Sequence, residues 1–305
     1  MNARIVLALQ IHDAELSALL HREPFLRNVK SRHPSHATYR SFEATTASNW
    51  ASVRQDGGSD TITVDSPGQP HQRDLFTAYI KLQSVGLKIK EDRLQDQLDQ
   101  HTSNAHHETL LSWHEFYSKS VEDEETDHLC LLSLWHWTYM TLLVDLDQLE
   151  SAIGRDGPES AQEAASYVSN WVSTPESSRC MLHAFLLQKQ VQSIHFNQIP
   201  AIHIPRILFS AAMAWDCYIK YGPGNDALNP EATMFDTSLP EFKAAGSRTL
   251  KQLSCITSLS WNQGALSCIK AATLCELGGL LGRITEWGLA GTFSKVVARL
   301  IDNEA

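Results

Sequence analysis

No apolar run in this 305-residue chain is long enough to cross a bilayer as a helix. The strongest candidate, Leu129 to Val144, is interrupted by His136, Thr138 and Thr141. A cleavable leader is not expected either, because Ile5 to Leu9 is a short apolar core followed closely by Asp13 and Glu15. The six cysteines (Cys130, Cys180, Cys217, Cys255, Cys268 and Cys275) include no Cys-x-x-Cys pair. Most lie within apolar helical patterns, so they read as reduced, buried thiols in a reducing compartment rather than as a disulfide framework. Positive charge is scarce: the formal net charge is −10, which disfavours gripping nucleic acid over the whole surface. No phosphate loop, Gly-x-Ser-x-Gly or Gly-x-Gly-x-x-Gly appears, and Gly278-Gly279 with Gly282 follow no strand, so they read as close helix packing. There is no internal repeat and no strand alternation beyond Thr61 to Val64.

What remains is an ordinary globular composition, 43% hydrophobic and 20% charged, over a length that allows one large core or two small ones. Its fourteen histidines would reduce the negative charge as pH falls towards about 6. Helical periodicity dominates. Residues 3–20 form an amphipathic helix that His21-Arg22-Glu23-Pro24 ends. Residues 22–40 are locally basic; this composition suits a nucleic-acid contact or import patch, but a solvated loop is the plainer reading. Residues 55–72, rich in Gly, Ser, Pro and Asp, read as a flexible loop. Residues 73–100 return to helix, and Leu110, Trp113, Phe116 and Tyr117 mark a further short one.

The densest apolar stretch, Leu129 to Leu187, is the expected organising element. It begins with a helix apolar on nearly every face, which implies burial. Asp145, Asp147 and Glu150 then bring its end to water, and Gly154 suits the left-handed position beyond a helix end. Pro158 opens a second helix with Ala161, Ala164, Ala165, Val168, Trp171 and Val172 on one stripe. Thr174-Pro175-Glu176 predicts a third, with Thr174 as capping hydroxyl and Met181, Leu182, Phe185 and Leu186 buried. Pro205 opens another, apolar on the side of Ile207, Leu208, Ala211, Ala212, Trp215 and Ile219. Residues 225–242 read as a loop, residues 247–259 and 265–287 as helices, and a last helix carries Phe293, Val296, Val297 and Leu300.

Three patterns hint at chemistry. Asp123-Glu124-Glu125-Thr126-Asp127 has the acid spacing of the magnesium motif of helical terpene cyclases, with Asp123, Glu124 and Asp127 as ligands. The partner motif that should start at Asn225-Asp226 fails, with Asn229 at its hydroxyl position and Thr233 where a glutamate belongs. A solvated acidic run at a helix N-terminus is the simpler reading. His106-His107-Glu108 lacks the second zinc histidine, Leu111 standing in its place, and reads as surface. His136 and His183 lie on apolar helices and read as hydrogen-bonded core histidines rather than ligands or bases.

The order Leu134-Trp135-His136, Asp145 and Asp147, Glu150 with Gly154-Arg155-Asp156-Gly157, Trp171, Thr174-Pro175, then Arg179 with His183-Ala184 resembles the fungal-specific transcription factor domain, the helical middle homology region of fungal zinc-finger transcription factors. Asp13…Leu16…Leu20-His21…Pro24, the Phe42 to Trp50 segment and Glu286-Trp287-Gly288-Leu289…Phe293 extend the likeness over nearly the whole chain. It implies a single all-α, multi-helix regulatory domain over residues 1–305, without the helices that precede this point in the family. It also implies a nuclear protein, not an enzyme, that modulates RNA polymerase II transcription. The family's DNA-binding finger, and hence its zinc, is absent here. No cofactor is therefore expected in this chain, and DNA would be reached only through an absent finger or a partner. Protein partners or a small effector, and a homo- or heterodimer, are implied. An orphan domain acting as dimer partner or decoy is the first alternative, and the terpene-cyclase-type enzyme the second. Trp135, His136, Glu150, Gly154, Arg155, Gly157, Trp171, Arg179, His183 and Trp287 are the signature positions, expected to be structural, with Arg155 pairing Glu150 or Asp156 at the turn.

Overall fold

The charges of one helix show how the core is built. Ile204–Lys220 carries Arg206 and Asp216 in its interior, yet every residue from Ile204 to Ile219 is buried. A helix buried on all sides must neutralise its charges internally. Arg206 pairs with Glu15 at 2.8 Å and Asp216 with Lys270 at 2.8 Å. The computed structural model describes residues 2–25, 46, 48, 75–121, 127, 129–194, 199–222, 238–247, 250 and 263–302. Among these the regular structure is helix, with no strand, so the fold is all-α. The helices are α1 (Asn2–Leu19), α2 (Leu75–Leu94), α3 (Gln100–Val121), α4 (Leu131–Leu143), α5 (Leu146–Ala152), α6 (Pro158–Val172), α7 (Pro175–Gln192), α8 (Ile204–Lys220), α9 (Gln263–Arg283) and α10 (Gly288–Asp302). Residues 240–247 are helical as well.

Helix α8 packs on α4, α5, α6, α7, α9 and α10. Helix α4 lies against it and also meets α2, α3 and α7, while α1 packs on α2 and α9 pairs with α10. The apolar stretch at Leu129 is thus one of two central helices rather than the sole organiser. One face of α8 was legible as apolar; its other face is buried because Arg206 and Asp216 find partners on distant helices. No helix among the described residues is long and apolar enough to cross a membrane.

Local signals explain most helix ends. The expected single helix from Leu129 to Ile153 breaks at Val144, which is extended, and Asp145 caps α5 by accepting the Asp147 amide at 3.0 Å. Pro158 and Pro175 open α6 and α7. Thr174 does not act as the expected capping acceptor: its hydroxyl donates back to Trp171 O at 2.7 Å. The expected short helix at Leu110 runs the full length of α3, and residues 73–100 break after Leu94, where Asp96 is left-handed at φ 55°. The loop expected through residue 242 gives way to helix at residues 240–247, with Glu241 and Phe242 buried. The loop at 55–72, most of the basic stretch 22–40, Phe42, Trp50, Asp123, Glu124, Asn225, Asp226 and most of 247–259 lie outside the described residues. Cys130, Cys180 and Cys217 are free and buried, while Cys268 and Cys275 are free but exposed.

The turn between α5 and α6 requires glycine twice. Gly154 sits at φ 100°, and Gly157 at φ 95° and ψ 176°, a region that side chains disfavour strongly. An added Cβ would touch nothing within 4 Å at either position, so the penalty is conformational. Gly157→Ala is expected to cost about 1–3 kcal/mol in urea unfolding. An unchanged midpoint would refute the backbone assignment.

Candidate functional site: a buried histidine cluster

Four signature positions meet where α3, α4, α7 and residues 240–247 converge. Leucines of α4 anchor that helix in the core, and its Trp135 Nε1 donates to Leu110 O of α3 at 2.9 Å. The Trp135 ring lies edge-on to His136, Tyr139 and His183, with centroids 4.9, 4.8 and 5.5 Å away. His183 stacks on Tyr139 at 4.5 Å. His136 and His183, 47 residues apart, approach Nδ1 to Nδ1 at 2.9 Å.

Arg179, one turn before His183, donates through Nε (2.8 Å) and Nη2 (2.5 Å) to Glu241 Oε1. It also lies 5.0 Å over the Tyr139 ring. Tyr139 Oη meets His107 Nδ1 at 2.8 Å. His183 Nε2 lies 3.8 Å from Glu241 Oε1 and, like Glu241 Oε2, has no hydrogen-bond partner among the described residues. A carboxylate only accepts, so it favours a proton on His183 Nε2. We therefore assign His183 Nδ1 as the acceptor of His136 Nδ1–H.

Burial sets the charge of this cluster. His136 and His183 are 2% and 0% exposed. Desolvation, reinforced by repulsion from His114, pushes the His136 pKa down to about 3. Desolvation, with repulsion from His136 and Arg179, holds His183 well below the usual imidazole range. His107 and His114 shift the same way, again mainly through burial. Burial also raises the Tyr139 phenol. The cluster is therefore a set of neutral rings beside one ion pair. Among the described residues no group of three His, Cys, Asp or Glu is placed to hold a metal.

A second group of signature positions forms an exposed knot at the α5–α6 turn. Arg155 Nη1 donates to Asp147 Oδ1 at 2.6 Å and to Glu150 Oε2 at 3.0 Å, and its Nη2 donates to Asp156 Oδ2 at 2.7 Å. Arg155 thus reaches both Glu150 and Asp156, with Asp147 as a third partner. His21, at the end of α1, lies 3.2 Å from Asp147 and 3.0 Å from Glu150, so the knot ties α1 to α5. Trp171 is buried edge-on to Tyr218, and Trp287 Nε1 donates to Pro200 O at 2.8 Å.

The sequence reading missed Glu241, Tyr139, His107 and His114 as members of the cluster. Only the spacing Leu110–Trp113–Tyr117 on α3 hinted that this face turns inward. His106, read as surface, is buried against Asp92 at 2.8 Å because the long α3 folds back on α2. Asp127 is occupied as a helix cap, its two oxygens accepting the amides of Leu131 (2.9 Å) and Leu132 (3.1 Å). Compared with family models, curated proteins and solved structures, the chain matches none of them.

Proposed function

We propose that this chain is the regulatory domain of a fungal zinc-finger-type transcription factor. It modulates RNA polymerase II transcription in the nucleus through protein or effector contacts, with no catalysis and no cofactor of its own. Contact with DNA comes through a finger or a partner outside this chain. The observation that carries the reading is the convergence of separate motif blocks. Trp135-His136 and Arg179…His183 pack on one another across 47 residues. Glu150 and Gly154-Arg155-Asp156-Gly157 close the turn that holds α5 to α6. A chance likeness in residue order gives no reason for the Trp135-His136 and Arg179…His183 blocks to meet across 47 residues. The acidic net charge of −10 and the neutral core cluster suit a protein-contacting module better than a nucleic-acid-binding or catalytic one.

The test is a tethering assay. The chain is fused to a heterologous DNA-binding domain and expressed in a fungal host carrying one basal and one activator-driven reporter. The fusion is expected to localise to the nucleus and to change the output of at least one reporter. Output equal to the DNA-binding domain alone on both reporters, with the fusion intact and nuclear, overturns the proposal.

A further inference from the structure

Helix α1 lies the wrong way round for a helix on an isolated domain. Asp13, Glu15 and Ser17 are buried, at 7%, 8% and 0% exposure, while Leu9 and Leu20 stand 50% and 58% exposed. The polar groups can be buried because each has a partner within the chain. Asp13 accepts from Arg22 at 2.9 Å, Glu15 accepts from Arg206 and Gln83, and Ser17 Oγ donates to Arg22 O. Leu9, half-buried Leu16 and Leu20 recur at helical spacing and share one face. Leucines in water above carboxylates shielded from it are unfavourable in a monomer, and a contact that covers the leucines removes that cost.

The same face gathers the other exposed apolar side chains. Among the described residues, seven large hydrophobic side chains stand open to solvent. Besides Leu9 and Leu20, Phe25 closes the turn that follows α1. Leu94 lines a hollow on one side of α1, shared with Gln10 and Ala14. Ile202 and Leu289 line a second hollow on its other side, shared with His12 and Leu16, and Ile199 lies just before Ile202. Together the seven expose about four whole side chains, on the order of 600 Å² at about 150 Å² each. That is the upper end of the largest apolar patch on an ordinary monomer, about 300–600 Å².

Size, charge and spacing point to a second copy of this chain as the cover. Two such patches face to face bury about 1,200 Å², where stable specific interfaces begin. A net charge of −10 makes copies repel over most of their surface. At this face the charges are paired within the chain: Asp13 with Arg22, Glu15 with Arg206, and Lys88 with Glu91 and Asp92. Leu9 and Leu20 are about three turns apart on one stripe, so an antiparallel two-fold pair sets each against the other's equivalent.

We propose that two copies of this chain pair through α1, antiparallel, with Leu9 of one copy against Leu20 of the other and the flanking apolar side chains closing the rim. The pairing does not rest on the transcriptional reading. Sedimentation velocity of the full chain over a concentration series tests it. The wild type is expected to form a reversible dimer with a dissociation constant of about 10 µM or tighter. Leu9→Lys and Leu20→Glu each set a charge against a leucine. Each should weaken the dimer at least about tenfold, with helical circular dichroism unchanged because both sites are exposed. Mixed in equal amounts, the two variants should pair again, since the introduced charges meet at one contact and leucine meets leucine at the other. A wild type that stays monomeric at about 100 µM, leaving the face to a different protein, overturns the proposal. So does a dimer that both charged variants keep, or a mixture that stays as monomeric as each variant alone.

Discussion

Taking the protein from about pH 8 to about pH 5 is expected to remove about 4 kcal/mol of stability through His136 and His203 together, with His183 acting in the same direction. All three side chains are buried, at 2%, 0% and 0% exposure. Burial pushes His136 down to about 3 and His203 down to about 4, and holds His183 well below its usual value. The sign follows from proton binding. Between the folded values and the unfolded value of about 6.5, the unfolded chain binds a proton at each ring and the folded chain does not. Stability therefore rises with pH through this window and is lost as pH falls below about 6.5. His136 and His203 each contribute about 2 kcal/mol at pH 5. Glu15 near His203 opposes the shift of that ring, but desolvation outweighs it.

The two protons at His136 and His203 give a slope near 2.5 kcal/mol per pH unit around pH 5 to 6, to which His183 adds, set against a total stability of about 5–15 kcal/mol for an ordinary domain. Urea unfolding at a series of pH values measures the slope directly. His203→Gln, which keeps a group able to bond Tyr79 Oη and Cys130 O, should lower it by one proton. Stability that stays level from pH 8 to pH 5 would show that these rings are not held neutral in the folded state.

Removing the two partners of the Arg179–Glu241 pair should have unequal effects. Glu241 is fully buried, whereas the Arg179 side chain keeps 21% of its surface. Arg179→Ala strands a carboxylate in the core beside His183 and should cost about 3–5 kcal/mol. Glu241→Ala leaves a guanidinium that can still reach water and His107, and should cost about 1–2 kcal/mol. The double variant with methionine at both positions should lie close to wild type, because a buried pair replaced by apolar groups of similar volume is often neutral. Urea midpoints of the three variants decide the matter; an equal or larger cost for Glu241→Ala would reverse the assignment. Amide exchange over residues 240–247 should accelerate in both single variants, since Glu241 fastens that segment to α7.

Most helices here are readable from local chemistry. The stripe Ala164, Val168, Trp171 and Val172 is the buried face of α6, and Pro158 and Pro175 open α6 and α7 where their fixed φ suits a first turn. Gly154 and Gly157 mark the turn that needs positive φ. All of these are interactions within a few residues, so a single sequence contains them. The break at Val144–Asp145 was less legible, because the apolar run on its two sides shares one face and only the Asp145 cap separates α4 from α5. The candidate site was half legible. Trp135, His136, Arg179 and His183 stand out as unusual residues on apolar helices, but nothing local says that His136 meets His183 or that Arg179 needs Glu241, 62 residues on. Glu15 and Arg206 are farther apart still, at 191 residues.

The sequence by itself determined the all-α class, the proline-marked starts of α6 and α7, and the left-handed Gly154, since periodicity, proline and positive φ act locally. Only the tertiary structure decided which helix is central, which buried charges pair, and where a donor is left without an acceptor. Those outcomes depend on the packing of helices far apart in the chain, and a buried charge or imidazole takes its partner from whichever distant helix the packing brings against it.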